Sequence, residues 1–171
     1  TQIFHMNPDG TNQRQANLAR WGATEFDDMR KAEMISPDGN WQLYVARGKE
    51  LWSGRTVPAL NLRGWTYQTC RAAFRAARKM GSSLLIFEQA LAEAIYAAQR
   101  PAEYTAGVLA AAMREGHRGP VFLQADHDQV NAANYAKDAS KEIRRLSDVI
   151  GEQIAASFFN IDVDASTVVD L

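Results

Sequence analysis

What this sequence lacks narrows its chemistry. Cysteine occurs once in 171 residues, at Cys70, so no internal disulfide can form. That usage suits a reducing compartment, and a cytoplasmic location is expected. No apolar run approaches the roughly 20 residues a membrane-spanning helix needs. Thr1–Asp9 has neither the charged nor the apolar region of a signal peptide. Thr1 stands where an initiator Met would, so the chain is expected to be trimmed or incomplete. Neither charge sign is in excess. The net charge is −1, with 23% of residues charged, and neither nucleic acid nor a membrane is expected as a partner. Repeats and low-complexity tracts are also missing. So are the Gly-x-Gly-x-x-Gly and Walker A loops, which removes the common nucleotide-binding fingerprints. Without a Gly-x-Ser-x-Gly elbow, a Ser-His-Asp hydrolase is poorly supported.

What is present divides near residue 55. Residues 1–55 read as an irregular N-terminal extension. It holds two turn signals, Pro8-Asp9-Gly10 and Pro37-Asp38-Gly39, and a helix over Asn17–Lys31 with Thr24 as a cap option. Residues 56–171 are regular. Val57–Leu62 predicts a strand, and Thr66 caps a helix to Met80. The apolar face of that helix is Cys70, Ala73, Phe74, Ala77 and Met80, which makes Cys70 a core residue rather than a nucleophile. Arg71, Arg75, Arg78 and Lys79 lie mainly on its other faces and read as solvated. Gly81 ends the helix. Ser83–Phe87 predicts a buried strand followed by Glu88-Gln89. Leu91–Gln99 predicts a helix, and Pro101 opens another through Glu115. Pro120–Gln124 is the third strand. Asp138 or Ser140 caps a long helix with the stripe Ile143, Leu146, Ile150 and Ile154. Phe158–Val163 is the fourth strand.

Strand and helix alternate, the pattern of a parallel sheet with helical crossovers. An open doubly wound sheet and a (β/α)₈ barrel both fit. In such folds active sites gather at the carboxyl ends of the strands. Those ends carry Asn61 and Arg63, then Glu88 and Gln89, then Gln124, Asp126, His127 and Asp128, then Asp162, Asp164, Ser166 and Thr167. His127 offers an imidazole to a divalent metal, and the carboxylates beside it can ligate, act as a base or orient the ring. Adjacent strand residues point to opposite faces, so Asp126 and His127 share a site only where the strand ends and the backbone turns. A satisfied, half-buried histidine is the other reading of His127. Ser166 and Thr167 read equally as helix caps. His117, in a Gly-flanked turn, reads as structural.

Asp126-His127 after an apolar strand resembles the Asp-His pair of the metal-dependent, class II ketose-bisphosphate aldolases. Phe159-Asn-Ile-Asp-Val-Asp-Ala-Ser166 resembles their next strand, which commonly ends Asp-Gly-Ser. Pro58-Ala-Leu-Asn61 resembles their first, commonly Ala-Phe-Asn. Asp164-Ala-Ser166 is also similar to the accessory, non-catalytic subunits of tagatose-bisphosphate aldolase. The resemblance covers Val57–Asp170. It implies a (β/α)₈ TIM barrel with a divalent metal, usually Zn²⁺, and a phosphorylated ketose such as fructose 1,6-bisphosphate as substrate. His127 is then a metal ligand, Asp126 the general acid/base, and Asn61 and Ser166 substrate contacts; no phosphate loop is visible in this stretch, and Arg63 is a candidate contact only.

Asp128 and Ala165 depart from the family's glycines. Four strands make half a barrel, and the family's further metal-binding histidines belong to later strands. A metal held by one histidine and an optional carboxylate binds weakly, since catalytic zinc takes about three protein ligands. The resemblance therefore implies that this chain alone is inactive and is completed by the remainder of the barrel or by another subunit. A homo-oligomer is expected. The alternative is a non-catalytic barrel subunit or scaffold.

Overall fold

The computed structural model describes residues 2–5, 14–17, 44–45, 48–50, 57–82 and 84–169. Strands β1 (Gln2–His5) and β2 (Arg14–Asn17) form an antiparallel pair, with Gln2 opposite Asn17 and His5 opposite Arg14. Asn17 thus ends a strand instead of starting a helix. The rest of the helix expected there, and both Pro-Asp-Gly turns, lie outside the described residues.

The regular part runs β3 (Ala59–Asn61), α1 (Thr66–Met80), β4 (Leu85–Ala90), α2 (Leu91–Tyr96), α3 (Pro101–Arg114), β5 (Val121–Gln129), α4 (Ala132–Lys137), α5 (Ala139–Ala155) and β6 (Asn160–Asp164). The four strands form one parallel sheet in the order β3-β4-β5-β6. A doubly wound sheet reverses its strand order at a switch point. Among the described strands there is no reversal, and each lies beside its sequence neighbour. Right-handed crossovers in one direction leave helices on one face of a sheet. No helix among the described residues is long and apolar enough to cross a membrane.

Register sorts the side chains into two faces. Leu60, Phe87 and Leu123 form one cross-strand row, and Gln89, Ala125 and Ile161 the next. Their apolar members join Cys70, Phe74, Ala77, Tyr104, Val108, Ala111, Ala112 and Phe158 in the core. The Phe74 and Phe87 rings stand 5.0 Å apart, and Tyr104 and Phe158 6.0 Å. Burying each large side chain contributes about 1.5–3 kcal/mol. Cys70 is fully buried here, and burial pushes its thiol up to about 12, which removes it as a nucleophile. On the opposite face Ala59, Ile86 and Phe122 align, and above them runs a polar row, Asn61, Glu88, Gln124 and Asn160.

Several element ends differ from expectation, each for a local reason. Trp65, in a left-handed conformation (φ 49°), precedes α1, and Thr66 is its first helical residue; the Thr66 hydroxyl donates to Gln99 Oε1 at 2.6 Å rather than capping. Met80, at the last turn, is 83% exposed, whereas Cys70, Phe74 and Ala77 are buried as expected. Gly81 (φ 69°) closes the helix, with Ser82 N–H donating to Ala77 carbonyl. The α1 basic cluster is paired: Arg71 Nε and Arg75 Nη1 reach Glu115 Oε1 at 2.6 and 2.9 Å, and Arg78 reaches the Glu115 carbonyl. Glu88 and Gln89 lie inside β4, not beyond it. Asp138 does cap α5, accepting from Lys141 N–H at 3.0 Å. The expected stripe of α5 is only half realised. Leu146 is buried, but Ile143 and Ile154 are 53% and 49% exposed. The inner face carries Glu142 and Gln153 instead, because each satisfies a polar partner on or just after β5.

Candidate functional site

The site begins with one surplus residue. Ala125 pairs with Ile161 and Asp128 with Val163, so Asp126 and His127 together oppose the single residue Asp162. This is a β-bulge, and His127 adopts the left-handed conformation (φ 54°) that lets the strand absorb it. Such backbone costs a residue with a Cβ about 1–2 kcal/mol. The sequence reading needs the strand to end at Asp126; instead β5 continues to Gln129 and the bulge does the turning.

Two consequences follow from the shift in alternation. First, Asp126, His127 and Asp162 each offer one donor atom within 4.8 Å of the others. His127 Nε2 is 3.8 Å from Asp126 Oδ1, and Nδ1 is 3.8 Å from Asp162 Oδ2. The His127 N–H also points to Asp162 Oδ2 at 3.4 Å. Second, Asp128 turns to the helix face. It is fully buried, and its Oδ1 accepts from Gln153 Nε2 at 2.9 Å. Asp128 Oδ2 and Gln153 Oε1 both lack a partner among the described residues. Burial pushes the Asp128 carboxyl up, and the protonated form is the one that can donate to an acceptor. Asp128 is therefore a structural residue, removed from the chemistry of its two neighbours.

The remaining partners hold the arrangement. Asn61 Nδ2 donates to Asp126 Oδ2 at 2.5 Å, and Asn61 Oδ1 is buried without a partner among the described residues. Asp164 Oδ2 lies 3.4 Å from His127 Nδ1 and accepts from Gln129 Nε2 at 2.8 Å. Asp164 Oδ1 accepts from Ser166 N–H at 2.8 Å. Bonds from Ser166, then Gln129, hold the Asp164 carboxyl down at about 2. An ionised Asp164 beside Nδ1 favours a proton on that nitrogen and leaves Nε2 toward Asp126. Asp126 first, then Asp164, pushes the His127 imidazole up. Gln124 bridges the row below, donating to Glu88 and accepting from Asn160 Nδ2 at 3.0 Å. Burial first, and Asp126 next, pushes the Glu88 carboxyl up.

The structure thus joins Asn61, Asp126 and His127. It puts Ser166 on the rim, exposed and opening a 3₁₀ turn (Ser166–Val168). Thr167 stands apart, its hydroxyl on the Val130 carbonyl at 2.5 Å. Neither residue caps through its side chain. Arg63 is paired with Glu93 at 2.6 Å. His117 packs 4.7 Å from the Phe74 ring and is structural. Sequence reasoning missed the partnership of Asp162 with the Asp-His pair and the orienting place of Asp164. The detectable signal was their two-residue spacing on β6, which puts both carboxylates near one edge of β5.

No family model, curated protein or solved structure matches this chain. The site's chemistry is therefore read from its own groups. One imidazole and two carboxylates can hold a metal ion. Donors around a four-coordinate ion at zinc distances lie about 3.4 Å apart. Here one ring nitrogen and one oxygen from each carboxylate lie within 4.8 Å of one another, and His127 and Asp162 are exposed, with room for the side-chain rotations that would close the gap.

Proposed function

We propose that this chain carries part of the site of a metal-dependent, class II-like aldolase that cleaves or forms a C–C bond in a phosphorylated ketose, within a (β/α)₈ barrel to which its four strands contribute one side. The observation that carries this reading is the bulge that turns Asp126 and His127 together toward Asp162. An unreversed parallel sheet with polar strand ends supports the barrel. His127, through the Nε2 that Asp164 leaves free of a proton, and Asp162 would hold the cation, Zn²⁺ by the family likeness. A bound divalent cation supplies Lewis-acid polarisation of the ketose carbonyl, which the carbanion next to it needs at neutral pH. Asp126 acts as the general base. It removes the proton from the hydroxyl next to the scissile bond, and it returns that proton in the condensation direction. Asn61 fixes the Asp126 carboxylate by donating from Nδ2 to Oδ2, and by the family likeness it is also a substrate contact. Ser166 supplies a second contact at the rim.

The test is a paired substitution in the complete protein, read by zinc content and by cleavage of fructose 1,6-bisphosphate. Asp126→Ala is expected to keep zinc and abolish turnover. His127→Ala is expected to lose zinc. Unchanged turnover in the first variant, or full zinc in the second, removes the corresponding role. One observation favours the rival, a non-catalytic barrel subunit: Asp164 is fully engaged by Ser166 and Gln129, and Asp126 by Asn61, in a network that needs no substrate. Zinc binding without turnover by the complete protein would favour that rival.

A further inference from the structure

Beyond the carboxylate–imidazole group, a hollow of about 360 Å³ opens where α4 meets α5. Its walls are Asn134, Lys137, Asp138, Lys141, Glu142 and Arg145. We propose that this hollow is an anion site that takes the phosphate group of a phosphomonoester, held by Lys137 and Lys141 beside Arg145. For the ester's identity as a ketose phosphate the inference rests on the aldolase reading; for the phosphate site itself it does not.

The charges decide the sign of the hollow. Three cations and two carboxylates line it, a surplus of one positive charge. The two carboxylates are already committed. Glu142 is buried, and its Oε1 accepts from Asn131 N–H at 2.9 Å and Arg145 Nη2 at 2.6 Å. Its Oε2 accepts from Arg145 Nε at 3.0 Å. Asp138 caps α5 through Oδ1. By contrast, neither lysine ammonium has an ion-pair partner among the described residues. The α1 basic cluster shows what a quenched set looks like, with Arg71 and Arg75 sharing Glu115. Lys137 and Lys141 are brought together because Asp138 ends α4 and caps α5, so the two lysines flank one corner. Glu142 takes Arg145 Nε and Nη2, so the unmatched positive charge comes from the two lysines, with Arg145 held in a fixed pose beside them.

The hollow also lies at the right end of the sheet. It follows the carboxyl end of β5, the end that carries Asp126 and His127. A chain of contacts joins the two places. Arg145 Nη2 donates to the Gln129 carbonyl at 3.3 Å, Gln129 Nε2 to Asp164 Oδ2 at 2.8 Å, and Asp164 Oδ2 stands 3.4 Å from His127 Nδ1. A phosphate here would anchor one end of a ligand whose reacting end lies toward the bulge.

The experiment is calorimetric titration of the complete, metal-free protein with glycerol 3-phosphate and, separately, with inorganic phosphate, at constant ionic strength set by chloride. Wild type is expected to bind both, the ester more tightly. Lys137→Ala/Lys141→Ala is expected to weaken both by about tenfold or more, the loss of charge-assisted contacts. Both lysines are exposed, so folding is not at stake. Lys79→Ala, an exposed cation on α1 away from the hollow, is expected to bind phosphate as wild type does. Equal phosphate binding by the double variant and wild type overturns the site, as does no binding by wild type. Inorganic phosphate binding as tightly as the ester overturns the ester assignment. Phosphate binding that depends on the lysines, in a protein that neither holds zinc nor cleaves the ketose, leaves this site standing and removes the aldolase reading.

Discussion

The two faces of β5 handle polar groups in opposite ways. On the helix face, Leu123 and Ala125 are core, and the one polar residue, Asp128, is closed into a buried pair with Gln153. On the other face, Gln124 and Asp126 belong to part-buried networks that run across the strands to Asn61, Glu88 and Asn160 and end at an exposed imidazole. The same nine-residue strand builds both. A strand's sides are assigned by counting, and one extra residue changes the count. Before His127, odd numbers face the helices; after it, even numbers do.

Emptying the helix face is expected to be the costlier loss. Phe87→Ala removes a fully buried ring and is expected to cost about 3–5 kcal/mol in urea unfolding. Gln124→Ala, on the other face, is expected to cost about 1 kcal/mol. Similar costs would mean that the open face is core as well. His127→Gly and His127→Ala both remove the imidazole, yet Gly adopts positive φ freely and is expected to be about 1 kcal/mol more stable than Ala there. Equal stability would show that the backbone at 127 is unstrained. Asp128→Asn comes next. An amide can accept from Gln153 Nε2 and donate to Gln153 Oε1, satisfying both orphan acceptors, so stability at pH 7 is expected to rise by about 1 kcal/mol. A loss would show that the charged carboxylate is the state the core requires.

The smallest effect concerns acid. Arg145 first, and then the Asn131 N–H, holds the Glu142 carboxyl at about 2, below its ordinary 4.5. A depressed carboxylate stabilises fully above the ordinary value, and that contribution is lost as pH falls from 4.5 toward about 2. Glu142→Gln is expected to flatten the acid limb of a stability–pH profile in that window. An unchanged limb would take Glu142 out of the balance.

The alternation of strands and helices was legible because apolar runs and helical periodicity carry it: Cys70, Phe74 and Ala77 lie on the buried face they predict. So were Gly81 and Asp138 as helix boundaries, since the αL closure and the side-chain cap are local chemistry. Ile143 and Ile154 misled, because helical spacing identifies a stripe without saying what it meets. The site was half legible. Asp126 and His127 stood out as ionisable groups after an apolar run, but a bulge leaves no mark in composition. Without it, Asp128 looks like Asp126's partner on one face, two residues on. Only the pairing with β6 reveals that Asp162 takes that place and that Asp128 is buried elsewhere.

The bulge has one more consequence. All three possible donors, and the carboxylate that steadies the imidazole, lie within a single strand–helix–strand module from Val121 to Asp164. The site thus occupies one continuous stretch of chain. Duplicating, swapping or grafting that module would carry the phase shift and its donors together into another parallel sheet, whereas deleting the single codon for His127 would scramble it without touching either aspartate.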